Sequence, residues 1–187
     1  ERPLDLLIAN AGISGGTGGP VAADGLIEPA AQVRAILAAN VDGVINSVLP
    51  ALRRMAARGR GQIALMSSLA SFRGLPGTPT YCASKALVRT WAEGLRPDYA
   101  RLGVEINALC PGYVKSPMTD ANDFAMPLLL STERAARIIA RGLARNRARI
   151  VFPRRLYWAL RAAAALPEAL LDWLLPRLPR KPRSRVV

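Results

Sequence analysis

The sequence predicts an α/β domain built on a doubly wound parallel sheet, and three observations predict it. Apolar runs at Leu4–Ala9, Gln62–Ser67 and Val104–Leu109 have the length and unbroken hydrophobicity of strands buried on both faces. Long helical segments separate them, as parallel strands joined by crossovers require. The second run ends in hydroxyls, Ser67-Ser68, and a helix starts soon after at Thr78-Pro79. Polar groups therefore collect at the carboxyl ends of the strands, where open α/β sheets bind ligands.

Each element follows from its local chemistry. Leu4 to Ala9 is the first strand. Residues 12 to 27 read as a flexible, Gly-rich loop: the run from Gly12 to Gly19 accommodates no G-x-G-x-x-G, and Pro20 follows it instead of a helix. A helix runs from Glu28 or Pro29 to Ala57, with Pro50 inside it or at a break. Arg58-Gly59-Arg60-Gly61 is a turn, and the strand from Gln62 comes next. The helix after Gly74, Pro76 and Gly77 spans about Pro79 to Arg101, with Thr78 as N-cap, Pro79 at the first helical position and Gly103 as C-terminal cap. Pro97 removes a bond to the carbonyl of Glu93, at a cost of about 3 kcal/mol for an interior proline, so a kink or an early end is expected there. Val104 to Leu109 is a strand, Pro111 to about Leu130 a loop with a short helix, Thr132 to Asn146 a helix and Arg149 to Phe152 a short strand. Residues 1–153 make up the sheet domain. Residues 154–178 form a helical extension, with pieces at Arg155–Leu166 and Pro167–Leu175. Residues 179–187 form a basic disordered tail.

Composition narrows the function classes. The net charge of +13 comes from 26 Lys and Arg against 13 Asp and Glu. That balance favours anionic partners but says nothing of fold, and neither an aromatic-basic RNA motif nor zinc-finger spacing accompanies it. The chain has no His, which excludes Ser-His-Asp and Cys-His catalysis and any His-ligated metal. Cys82 and Cys110 form no disulfide or metal pattern and read as small apolar groups. No signal peptide is visible, and a reducing cytoplasm is the expected compartment.

The chemistry concentrates in Tyr81-Cys82-Ala83-Ser84-Lys85, with Ser68 thirteen residues before Tyr81. A Tyr and a Lys four apart share a helix face. The ammonium is expected to favour phenolate and lower a pKa otherwise near 10. Such a phenol can exchange a proton with an alcohol or carbonyl. Ser68 can hold the same oxygen, and its spacing from Tyr81 favours it over Ser67.

Four motifs in this order resemble the short-chain dehydrogenase/reductase family: Asn10-Ala11-Gly12, Asn40-Val41-Asp42-Gly43, Ser68 with Tyr81 and Lys85, and Pro111-Gly112-Tyr113-Val114-Lys115-Ser116, with Ser116 in a Thr position. The resemblance runs from Leu4 to Ser116 and less distinctly to Pro153. It implies the C-terminal part of a Rossmann-like doubly wound sheet, lacking the first strands and the Gly-rich turn, so a fragment is expected. It implies NAD or NADP as cofactor and hydride transfer to or from an alcohol or ketone. Tyr81 would be the acid or base and Ser68 would hold the substrate oxygen. Lys85 would tune Tyr81 and bind the nicotinamide ribose, and Asn40 would place a relay water. Asn10, Ala11 and Gly12 would line the cofactor cleft, beside Pro111, Gly112, Tyr113, Val114 and Ser116. Pairing through the helices of Asn40 and Tyr81 would give a homodimer or homotetramer. An apolar lid at 116–130, with Met118, Phe124, Met126 and Leu128 to Leu130, hints at an apolar substrate. Two other readings stand beside this one: a non-catalytic remnant acting as an interaction module, and an Arg-rich peripheral binder of membrane surfaces or nucleic acid through the C-terminal extension, residues 154–178, whose more ordinary role is packing over the substrate pocket or against a partner subunit. The strand at Leu4 should have a neighbour the chain does not contain, which leaves an apolar edge prone to aggregation.

Overall fold

A computed structural model describes residues 3–18, 21, 24–177 and 181. Four strands, β1 (Leu6–Ala9), β2 (Gly61–Met66), β3 (Val104–Pro111) and β4 (Arg149–Phe152), form one parallel sheet in the order β1-β2-β3-β4. The register sets Ala9 beside Leu65, Met66 beside Leu109 and Pro111 beside Phe152. All strands thus deliver their carboxyl ends to the same edge. Their hydrophobic runs exist because both faces are covered: Ile63, Leu65, Ile106 and Cys110 pack into one core cluster, and Ala64, Leu109, Ile150 and Phe152 into another. β1 is the exception: Leu6 and Ile8, which alternate onto one face, are exposed, as is Leu4 before it, so that face of the strand is not covered.

The first long helical stretch is α1 (Ala30–Leu37), a π-turn at Ala38–Asp42 and α2 (Gly43–Ala57). By length and composition it could cross a membrane. Instead Val44, Val48, Ala51, Leu52 and Met55 insert into the first core cluster. Pro50 produces no break, because it and Asn46, whose carbonyl loses its partner, both face solvent. α3 (Pro79–Ala100) also runs through its proline, so the expected early end at Pro97 is not seen. The last turn is held from outside: Arg96 bonds the Ile106 carbonyl and the Asn146 side chain, while Leu95 and Tyr99 pack on the core. Gly103 then turns the chain at φ +71°, and a Cβ there would collide with the Gly59 carbonyl.

The first part of the Gly-rich loop is packed, which corrects the expectation of a loose one there, whereas Val21, Leu26 and Ile27 further along are exposed. Gly15, Gly16 and Thr17 are buried. A Cβ at Gly15 would fall 2.3 Å from the Gln32 side chain, whose Nε2 donates to the Gly16 carbonyl. The Thr17 N–H donates to Gly77, which ties the loop to the segment leading into α3. After β3 come α4 (Pro117–Asp120), α5 (Thr132–Leu143) and β4, and the extension forms α6 (Arg154–Ala164) and α7 (Glu168–Leu174). Of the predicted tail, Lys181 is described: its carbonyl accepts from the Gly18 N–H and its Nζ donates to Ser14 Oγ. Residues 179, 180 and 182–187 lie outside the described residues.

Candidate active site

The polar groups meet where β1, β2 and β3 end. Asn40 is fully buried in the π-turn that joins α1 to α2; such turns often mark functional positions. Its Oδ1 accepts from the Ile13 N–H at 2.8 Å, and its Nδ2 donates to the Ile13 carbonyl at 2.9 Å and to Ser84 Oγ at 3.0 Å. Asn40 is thus a clamp between the segment after Asn10-Ala11-Gly12 and the Tyr81 helix. Ser84 in turn donates to the Tyr81 carbonyl at 2.8 Å. Neither Ile13 nor Ser84 stands out in the sequence.

Two adjacent serines divide the work at the end of β2. Ser67 Oγ donates to the Lys85 carbonyl at 2.8 Å and is buried, so it anchors α3. Ser68 caps a short 3-10 turn at Leu69–Phe72, accepts from the Ala70 N–H at 3.1 Å and lies near the Pro111 carbonyl at 3.4 Å. The latter bond is long, which leaves the Ser68 hydroxyl able to turn toward a ligand. Burial pushes the Tyr81 phenol above its ordinary value, and the Ser68 hydroxyl beside it acts in the opposite direction.

Lys85 sits 5.9 Å from the Tyr81 ring centroid, with Nζ donating to the Met66 carbonyl at 2.9 Å. Burial pulls its pKa from 10.5 down to about 8. The expected depression of the Tyr81 pKa by Lys85 is therefore absent. The ammonium is directed at a backbone carbonyl, is itself desolvated, and does not offset the burial of the phenol. Gly12 completes this corner. A Cβ on it would stand 3.0 Å from Lys85 Nζ and 3.1 Å from Asn40 Oδ1, so a side chain there would crowd both groups. Asn10 and Ala11 are exposed beside it.

The third wall follows β3. Gly112 donates its N–H to the Phe152 carbonyl at 2.7 Å, and a Cβ there would crowd Pro153, Leu156 and Leu69 at 3.0–3.3 Å. Tyr113 packs edge-on against Phe124, with burial raising its pKa. Val114 bridges to Leu130. The Ser116 hydroxyl is engaged in a capping box with Thr119 at the start of α4. Leu128 and Leu129 of the expected lid are exposed. Thr78 occupies the N-cap position of α3 but its hydroxyl makes no capping bond; it lies 3.6 Å from Cys82 Sγ. Glu28 takes over at that end, accepting from the N–H and hydroxyl of Thr80. Cys82 and Cys110 are buried thiols, Cys110 pushed up to about 11, and neither is poised as a nucleophile. A cavity of about 640 Å³ opens on the opposite face of α3, between Cys82, Ala83 and Ala86 and the end of α7, and none of the candidate catalytic side chains lines it.

The strand ends of a parallel sheet thus bring together a serine, a helical Tyr-x-x-x-Lys pair and an asparagine clamp. The short chain dehydrogenase family model matches residues 2–125, and the chain belongs to that family. It is 39% identical over 175 residues to an uncharacterized oxidoreductase of Myxococcus xanthus, covering 94% of this chain and 67% of that one. A gluconate 5-dehydrogenase from Burkholderia cenocepacia, solved with NADP and tartrate, is 34% identical with a TM-score of 0.58 over 66% of this chain and 46% of that one. A short-chain dehydrogenase from Sphingobium yanoikuyae, solved with NADPH, shares the fold at a TM-score of 0.72 and 19% identity, over 98% of this chain and 69% of that one. The chain spans at most about two thirds of the length of the curated relatives it matches.

Proposed function

We propose that this chain carries the catalytic half of an NAD(P)-dependent dehydrogenase or reductase acting on an apolar alcohol or ketone. The observation that carries the reading is the convergence of Ser68, Tyr81, Lys85 and Asn40 at the carboxyl ends of the strands, beside a glycine whose Cβ would crowd the ammonium. In this reading the buried cation beside Gly12 and the Pro111–Ser116 loop would hold the ribose and carboxamide of a nicotinamide. NADP and NADPH in the two structural neighbours support the same cofactor class. The turn that grips the pyrophosphate in such enzymes has no counterpart in this sequence.

The bound dinucleotide supplies or accepts the hydride. The protein orients and moves the proton. Ser68 Oγ holds the substrate oxygen, and the Tyr81 phenol gives its proton to that oxygen in reduction or takes it in oxidation. A phenol raised by burial gives up its proton less readily, either to the substrate oxygen or in forming the phenolate that acts as base, so in this reading Lys85 acts once its ammonium swings from the Met66 carbonyl toward the phenol and the ribose hydroxyls. Asn40 serves by holding Ile13 and Ser84; both of its amide protons are used there, so a relay water would sit on other groups. Asn10, Ala11, Gly12, Pro111, Gly112, Tyr113, Val114 and Ser116 form the walls. Pairing through α2 and α3 into a dimer or tetramer belongs to the same reading.

The test is oxidation of NADH or NADPH followed by absorbance with a panel of apolar ketones. Tyr81→Phe should abolish turnover while leaving dinucleotide affinity within a few-fold. Turnover that survives Tyr81→Phe would overturn the reading.

A further inference from the structure

The C-terminal extension carries two apolar stripes, and the fold uses only one of them. On α6, Leu156, Tyr157 and Leu160 pack inward on the core, and the Tyr157 ring meets Phe72 edge-on at 5.0 Å. On α7, Leu171 is buried. The outer side of α6 nevertheless carries Trp158, 60% exposed, with Arg155 three residues before it and Arg154 and Arg161 nearby. α7 turns Leu170, Trp173 and Leu174 outward, Trp173 being 59% exposed. The Arg177 guanidinium stacks over the Trp173 ring at 4.0 Å. A surface helix needs one buried stripe; a second one with an exposed tryptophan on each helix is not required by packing.

Three observations say what covers it. From position 154 to the end, the sequence has eight Arg and Lys against two acidic residues, which makes the extension a match for a negative surface. Two copies of such a face would set Arg154, Arg155 and Arg161 against like charges. The exposed Leu166, Leu170 and Leu174 offer nothing to phosphates or bases but bury readily among acyl chains. The extension also follows β4, the edge opposite β1, so a strand added beside β1 would not reach it.

We propose that the outer face of α6 and α7 docks on an anionic lipid bilayer. Trp158 and Trp173 enter the headgroup layer, where an indole keeps its ring in hydrocarbon and its N–H at the polar boundary. The arginines lie against lipid phosphates. This inference rests on the surface alone and does not depend on the catalytic reading.

The experiment is co-sedimentation, with tryptophan emission recorded, using vesicles of mixed phosphatidylcholine and phosphatidylglycerol and vesicles of phosphatidylcholine alone. Binding to the mixed vesicles with a blue shift, reversed by high salt, is expected. Trp158→Ser with Trp173→Ser should weaken it by about tenfold or more, whereas Trp158→Phe with Trp173→Phe should keep most of it. Trp91, packed against the core in every variant, reports that the fold survives. No binding, or equal binding to both vesicle types, overturns the proposal. A blue shift that follows protein concentration without vesicles would mean self-association and overturn it as well. So would binding to duplex DNA in place of vesicles that the tryptophan changes leave unaltered.

Discussion

Replacing Lys85 by methionine should make the fold more stable while abolishing catalysis, and the gain should vanish at high pH. Lys85 is 3% exposed, and its ammonium has one neutral hydrogen-bond partner, the Met66 carbonyl. Burial pulls its pKa from 10.5 to about 8. At pH 7 both folded and unfolded chains are protonated, and holding the folded ammonium at about 8 instead of 10.5 corresponds to about 3 kcal/mol of lost stability. Methionine removes that cost but also the bond to Met66, worth about 1 kcal/mol, so Lys85→Met should gain about 2 kcal/mol at neutral pH. Between pH 8 and 10.5 the unfolded chain binds the proton at Lys85 and the folded one does not, so at this site wild type gains stability as pH rises. At pH 9.5 it should have recovered about 2 kcal/mol, which brings wild type and variant level. The buried thiols Cys82 and Cys110, both raised from 9.0, act in the opposite sense within this window, and the Tyr81 phenol does so above pH 10, but all three act equally on wild type and variant, so the difference between the two proteins isolates Lys85. Urea unfolding of both proteins at low micromolar concentration, at pH 7 and 9.5, measures the difference directly. A variant less stable than wild type at pH 7, or an advantage unchanged at pH 9.5, would refute the argument that the site holds an uncompensated buried charge.

Other consequences follow from individual contacts. Asn40→Ala leaves the Ile13 N–H and carbonyl without their partner and should cost about 2–3 kcal/mol in urea unfolding; a change under about 0.5 kcal/mol would mean the clamp does not hold in solution. Ser67→Ala frees the Lys85 carbonyl and should act mainly on stability, by about 1–2 kcal/mol, whereas Ser68→Ala should act mainly on kcat; the reverse pattern would exchange the two roles. Ile8→Lys, at an exposed position of β1, should raise the soluble fraction measured by size-exclusion chromatography, since a charged edge resists strand pairing; unchanged aggregation would locate the sticky surface elsewhere.

How much of this was legible beforehand depended on range. All four strands, the start of α3 at Pro79 and the turn at Gly103 follow from local runs and caps, and the structure has them where the sequence puts them. The four motifs also converge as their order along a parallel sheet requires. What could not be read is long-range. Asn40 meets partners 27 and 44 residues away, and Glu28 reaches Thr80 across 52; no periodicity encodes such pairs. The proline at 97 was overestimated because propensity is local while Arg96 is anchored to Ile106 and Asn146. The Gly-rich loop looked loose because glycine reads as flexibility, whereas Gly15 is small to admit the Gln32 side chain. The Tyr81 expectation failed for a related reason: the i, i+4 spacing places a cation near a phenol but does not say where the ammonium points or how much water either group has lost.

In the proposed function, the corner formed by Gly12, Asn40, Lys85 and the Pro111–Ser116 loop receives the nicotinamide end of the cofactor. Saturation-transfer NMR of NADH and NADPH with this protein tests it most directly. Transfer to the nicotinamide and its ribose is expected, and loss of that transfer in Gly12→Val, where the added side chain would crowd Lys85 Nζ and Asn40 Oδ1. Nicotinamide signals that are silent, or unchanged by Gly12→Val, would contradict it.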